Sequence, residues 1–122
     1  MKALLVVLSV MTRVATAGEP ECLASILWSE SRGESLEGVV AIGQASIKKA
    51  KKENSTLCKL RGVTRLTPSK PMLEYYVSVA NHLLSHPKET VSNGASHWDK
   101  GKPHMPGSIR RVIGKHTFYE AR

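Results

Sequence analysis

Trp28-Ser29-Glu30-Ser31-Arg32-Gly33-Glu34 is the hinge of this sequence. It closes one apolar helical run and, across a glycine, opens the way to a second. Upstream, Leu23, Ile26 and Leu27 fall on one helical face, Pro20 sits near the start, and Glu19 and Glu21 suit the positive end of a helix dipole. These features predict a helix over 20–31 that Gly33 ends. Downstream, Ser35 is a good N-cap for a second helix through about Lys52. Leu36, Val39, Val40, Gly43 and Ile47 make its apolar face, and Gly43 within that face points to close approach of another helix. Glu30 thus stands at a helix end, where a carboxyl can be held rigidly at a cleft edge. That is what proton transfer to a leaving group requires.

Working outward, Lys48, Lys49, Lys51 and Lys52 follow at the negative end of the second helix and read most simply as a solvated helix end. Residues 53–70 are polar and irregular, with a turn at Pro68. Ser69-Lys70-Pro71 opens a third helix to about Ser85, with Leu73, Tyr76, Val77, Ala80 and Leu84 as its buried stripe, and Pro87 stops it. Residues 87–107 read as loop or short strands, and small residues before His97-Trp98 suggest a tight strand that presents this pair. Ser108 to Ile113 read as a short helix closed by Gly114. The whole is expected to be a mainly α, α+β single domain.

The first seventeen residues are set apart as a signal peptide. Lys2 is the positive n-region, Ala3 to Met11 the apolar stretch, and Ala15-Thr16-Ala17 the small-x-small cleavage signal, which gives a domain over 18–122. Nine apolar residues are too few to span a bilayer, so membrane contact is expected only through this transient segment. The expected destination is exported: periplasm, cell wall or exterior. The chain carries a formal charge of +8. Without Lys2 and Arg13, sixteen basic residues face ten acidic ones, leaving +6. That balance implies an anionic partner, and export favours wall polymer over nucleic acid, for which no motif is present.

Cys22 and Cys58 are the two cysteines. An even count in an oxidising compartment favours one disulfide, worth about 3–4 kcal/mol in the chain-entropy model. Two buried thiols or part of a metal site are the alternatives, although the spacing fits no zinc motif. His82 and His86 lie four apart on a helix but have no third ligand in view, so neither metal nor cofactor is expected.

Three segments hold residue types suited to a sugar cleft. Glu30 with Trp28 and Glu34 is the first, Asn93-Gly94-Ala95-Ser96-His97-Trp98 the second, and Ile113-Gly114-Lys115-His116-Thr117-Phe118-Tyr119 the third. Rings stack on apolar sugar faces, and polar side chains bond to hydroxyl and acetamido groups. Each residue also has a plainer reading: a solvent-facing glutamate, a hydrogen-bonded structural histidine, aromatics packed in the core.

Together the segments resemble the bacterial cell wall hydrolase family typified by the spore cortex-lytic enzyme SleB. The Glu30 stretch, with Gly33-Glu34 and Glu37-Gly38 following, is similar to that family's Glu-Ala-Arg-Gly-Glu region. Ala95-Ser96-His97-Trp98 is similar to its Ala-Thr-His-Phe motif, and Ile113-Gly114-Lys115-His116-Thr117-Phe118-Tyr119 to its Ile-Gly-x-His-x-Phe-Tyr motif. Cys58 also falls where the family often has a cysteine. The three motifs occur in family order. Two stretches depart from the pattern: Lys48-Lys49 stands where Asn-Arg is common, and Lys59-Leu60-Arg61-Gly62-Val63-Thr64-Arg65 replaces a Gln-Phe-Ser stretch.

The resemblance implies a lysozyme-like fold and a lytic transglycosylase that cuts peptidoglycan between N-acetylmuramic acid and N-acetylglucosamine, leaving 1,6-anhydromuramic ends. Glu30 would be the single catalytic carboxyl. Trp28, Glu34, Ser96, His97, Trp98, His116 and Tyr119 would line the substrate side. A hydrolytic muramidase would need a second carboxylate, with Glu34 and Asp99 as candidates. A wall-binding module without turnover is the remaining alternative.

Overall fold

The computed structural model describes residues 18–122, so the expected signal peptide over 1–17 lies outside the described residues. Helix α1 spans 18–31, α2 Leu36–Lys52 and α3 Lys70–Ser85, with a single 3-10 turn at Leu57–Lys59 between the last two. Strands β1 (His97–Lys100), β2 (Gly107–Ile113) and β3 (His116–Ala121) form an antiparallel sheet in the order β1-β3-β2. The architecture is α+β. Among the described residues, no helix is long and apolar enough to cross a membrane.

The α1–α2 joint follows the local chemistry of its residues. Gly33 takes φ +88°, a left-handed conformation that glycine adopts without penalty, and Glu34 N–H bonds back to Ser31 O at 3.0 Å. Ser35 then caps α2 by accepting from Gly38 N–H at 3.3 Å. Leu23, Ile26 and Leu27 of α1 are fully buried against Ile42 and Ala45 of α2. Helix α3 closes this core with Tyr76, Ala80 and Leu83, and β3 adds Phe118. Gly43 lets α2 and α3 meet closely: a methyl group there would collide with Leu83. Leu83, not Leu84, is therefore the buried member of that turn; Leu84 packs at the margin with Leu73 and Val77. Leu36, expected on the buried face of α2, is 61% exposed because it opens the helix beyond the reach of the core.

Ser108 to Ile113 is not a helix. It belongs to β2, which pairs with β3 from Gly107↔Ala121 to Ile113↔His116. Ile109, Val112 and Ile113 are β-branched, and the run is too short for a helix to stand without a packed face. Gly114, at φ +56°, begins the hairpin turn into β3 instead of closing a helix. As an edge strand, β2 stays exposed over most of its length, while β3, paired on both sides, is buried from His116 to Tyr119.

Cys22 in α1 and Cys58 in the 3-10 turn form a disulfide. It ties the start of α1 to the segment that follows α2. From there the chain runs through 60–69, alongside the C-terminal end of α1, and into α3.

Candidate active site

Glu30 occupies the last turn of α1, half-buried. Its Oε1 accepts from the Trp98 indole N–H at 3.0 Å and its Oε2 from Thr64 N–H at 2.9 Å. One donor comes from the sheet, the other from the segment after the disulfide. Next to it, Ser29 Oγ accepts from Leu66 N–H at 2.7 Å, so two successive residues of α1 hold the extended backbone of 64–66. An ionised carboxyl has about four acceptor positions. Two are filled here, and the carboxyl is fixed in orientation with one position open on each oxygen.

Glu30 lines a cleft of ≈ 360 Å³. His97, Trp98 and Asp99 of β1, His104 after it, and Lys49, Glu53 and Arg61 also line it. Gly62 and Val63 complete this part of the lining.

Asp99 is the most heavily bonded group in the cleft. Its Oδ2 receives Tyr119 O–H at 2.9 Å, His104 N–H at 2.9 Å and a contact of 2.6 Å from His104 Nδ1. Burial pushes the Asp99 carboxyl up, but the His104 N–H, the Tyr119 hydroxyl and the His104 ring outweigh it and hold the carboxyl below the usual carboxylate range. The same bond has the opposite effect on its donor. Burial first, then Asp99, pushes the Tyr119 hydroxyl up to about 12. Tyr119 is therefore a neutral, fully buried prop behind Asp99, not a group that meets substrate.

Beneath His97 lies a second network. Ser96 is fully buried; its hydroxyl pairs with His97 Nδ1 at 2.8 Å and donates to Glu120 Oε1 at 2.8 Å. Glu120 also pairs with Lys52, and Lys48 Nζ lies 3.4 Å from its Oε2. Burial raises the Glu120 carboxyl, but Lys52 and Ser96 bring it below its ordinary value. Burial, followed by the charges of Lys49 and Lys52, lowers His97 below its ordinary value, which favours the neutral ring in the cleft wall.

Glu34 and His116 lie apart from the cleft. His116 Nδ1 sits 2.8 Å from Glu34 Oε1, with the side chains 3% and 10% exposed. The approach is off the line of a directed hydrogen bond, and Nδ1 has no other partner among the described residues. The pair locks the α1–α2 joint onto the start of β3. Trp28 also lies outside the cleft lining; it carries the Arg32 guanidinium 4.5 Å over its ring and meets Tyr76 edge-on.

Of the expected site residues, Glu30, His97 and Trp98 line the cleft. Ser96 and Tyr119 stand one layer behind it, and Glu34, His116 and Trp28 are placed elsewhere. His82 and His86 stack at 4.5 Å on α3, also outside the cleft, and no group of three or more metal-ligating side chains occurs among the described residues. Lys49, Arg61, His104 and Glu120 join the site without being among the residues expected there. A signal existed for Lys49: it follows Ile42 and Ala45 at helical spacing and so shares their buried face, 8% exposed. Its Nζ donates to Arg61 O at 2.5 Å and pairs with Glu53 at 3.1 Å, which seats the 61–63 turn against α2.

No protein-family model, curated protein or solved structure matches this chain.

Proposed function

We propose that this chain cleaves the β-1,4 bond between N-acetylmuramic acid and N-acetylglucosamine in peptidoglycan, as a lytic transglycosylase of the cell wall hydrolase type. The observation that carries this reading is the Glu30 carboxyl in the lining of the cleft, oriented by Trp98 and Thr64. Protonated, Glu30 gives its proton to the glycosidic oxygen as the C1–O bond breaks and positive charge grows on the muramic ring. As carboxylate it then takes the proton of the muramic C6 hydroxyl, whose oxygen closes on C1. One carboxyl is returned to its starting state, and no water is consumed.

Convergence of the three motif segments supports the reading. Glu30 meets Trp98, and Glu34 meets His116, so the first segment is bonded to each of the other two. The lysozyme-like architecture goes with the same proposal: an acid at a helix end is bonded to a small antiparallel sheet, and both line one cleft. The +6 charge and the disulfide suit an exported protein acting on an anionic wall.

The test is digestion of purified walls by the wild type and by Glu30→Gln, with mass spectrometry of the released ends. Anhydromuramic ends from the wild type and none from the variant are expected. Equal lysis by both would remove Glu30 from the mechanism, and wall binding without released fragments would leave a binding module. Hydrolysis is the second reading, favoured by Asp99, which lines the same cleft and whose Oδ1 has no hydrogen-bond donor among the described residues. Reducing muramic ends would select it.

A further inference from the structure

We infer that Arg61 forms an anion subsite in the cleft and reads a carboxylate carried on the lactyl arm of muramic acid. This inference rests on the glycan reading of the cleft.

Each other charge lining the cleft is already engaged. Lys49 pairs with Glu53 and donates to Arg61 O. Asp99 takes its donors from His104 and Tyr119, and Glu30 from Trp98 and Thr64. The Arg61 guanidinium has no hydrogen-bond or ion-pair partner among the described residues, although Arg61 is a lining residue of the cleft. The contrast with Arg65 is direct: that guanidinium is spent on the carbonyls of Leu57 and Leu60.

The backbone at this cation is fixed. Lys49 holds the Arg61 carbonyl, and Gly62 turns at φ +75° beside Lys49 Nζ. A guanidinium on an anchored turn offers a fork of N–H donors matched to a carboxylate. The glycan backbone itself is neutral. Its anionic groups hang from the lactyl ether at C3 of muramic acid, either as the lactyl acid where no peptide is attached or as the carboxylates of a stem peptide. The cleft therefore combines an acid for the bond to be broken with a cation, unpartnered among the described residues, for a charged appendage on the muramic ring. The cation lies in the 59–65 stretch that departs from the family pattern, so the subsite is a property of this chain.

The experiment is an NMR titration of the wild type, Arg61→Gln and Arg61→Lys, following the Trp98 indole N–H, which faces the cleft. Three disaccharides serve as probes: diacetylchitobiose, the N-acetylglucosamine–N-acetylmuramic acid pair with a free lactyl acid, and the same pair bearing a dipeptide. None needs to be cleaved. The wild type is expected to bind a carboxylate-bearing probe roughly tenfold more tightly than chitobiose, the factor that about 1.4 kcal/mol makes. Arg61→Gln should bring all three to the chitobiose level, and Arg61→Lys should restore part of the difference. Preference for the free lactyl acid or for the dipeptide form identifies the source of the carboxylate. Thermal melting checks that the variants are folded. If Arg61→Gln keeps the preference, or the wild type has none, the Arg61 subsite is overturned while the glycan cleft stands. If no probe shifts the Trp98 signal in any protein, both readings fall.

Discussion

Trp98 donates its indole N–H to Glu30 Oε1 at 3.0 Å, across 68 residues of sequence, while Thr64 N–H holds the other oxygen. The carboxyl therefore accepts on both oxygens, and that constrains how its removal must be interpreted. A glutamine at position 30 can turn its carbonyl to only one of the two donors; its amide would face the other. Glu30→Gln is expected to lower wall cleavage by about two to four orders of magnitude, the scale of general acid catalysis, and stability by roughly 1–2 kcal/mol. Urea unfolding alongside the lysis assay separates the two effects. An activity loss no greater than the loss of folded protein would mean that the carboxyl only braces the cleft.

The Glu34–His116 pair is expected to matter for folding. Both side chains are nearly sealed from solvent, and removal of one partner leaves the other polar group buried alone. His116→Ala should cost about 1–3 kcal/mol, the scale of a buried polar group left without its partner, read as a lower urea midpoint at constant slope. A double-mutant cycle with Glu34→Gln should give a coupling above about 0.5 kcal/mol. Independent effects would show that the two side chains are neighbours without an energetic bond.

Gly43 sets the distance between α2 and α3. Alanine there favours helix by up to about 1 kcal/mol over glycine, yet its methyl would meet Leu83 in a filled core. Overpacking of that kind costs about 1–3 kcal/mol, so Gly43→Ala should lower the melting temperature. In the Leu83→Ala background, which opens space at that point, the same change should cost less or become stabilising. An unchanged penalty there would place its cause somewhere other than Leu83.

Acid should loosen the sheet side of the cleft in two stages. His97, Asp99 and Glu120 all have folded values below their ordinary ones. The unfolded chain then binds more protons between the folded and unfolded values. Each contribution is complete above the unfolded value and is lost as pH falls through the folded one. The loss therefore begins below about pH 6.5 for His97 and below about pH 4 for the two carboxylates. Melting temperatures measured from pH 8 to pH 3 should fall on this pattern, and Glu120→Gln should flatten the lower stage. A melting temperature that rises on acidification would contradict the linkage.

Much of this molecule was legible before its folding was seen. The three helices follow from apolar spacing, Ser35 and Gly33, because local pattern and tertiary packing agree there. Ser108 to Ile113 misled because its partner, β3, lies beyond a turn: a six-residue run of mixed polarity takes its conformation from what it pairs with. The site divides in the same way. Glu30 and Trp98 announce themselves by type and position, whereas the Thr64 donor is a backbone group that leaves no mark in the sequence. Lys49 was hidden inside a lysine run whose other members are at least partly exposed. Tyr119 and Asp99 are brought together by strand register, which no local pattern fixes.

The disulfide has a topological consequence for the cleft. Cys22 and Cys58 are covalently joined, and the exposed Arg32-Gly33 turn lies between them in sequence. A tryptic nick after Arg32 would sever the peptide that carries Glu30 from the one that carries Thr64 and Trp98. The two fragments would nevertheless migrate as one species until a reductant was added. The proposed acid and both of its hydrogen-bond donors thus belong to a covalent unit that outlasts the integrity of the chain between them.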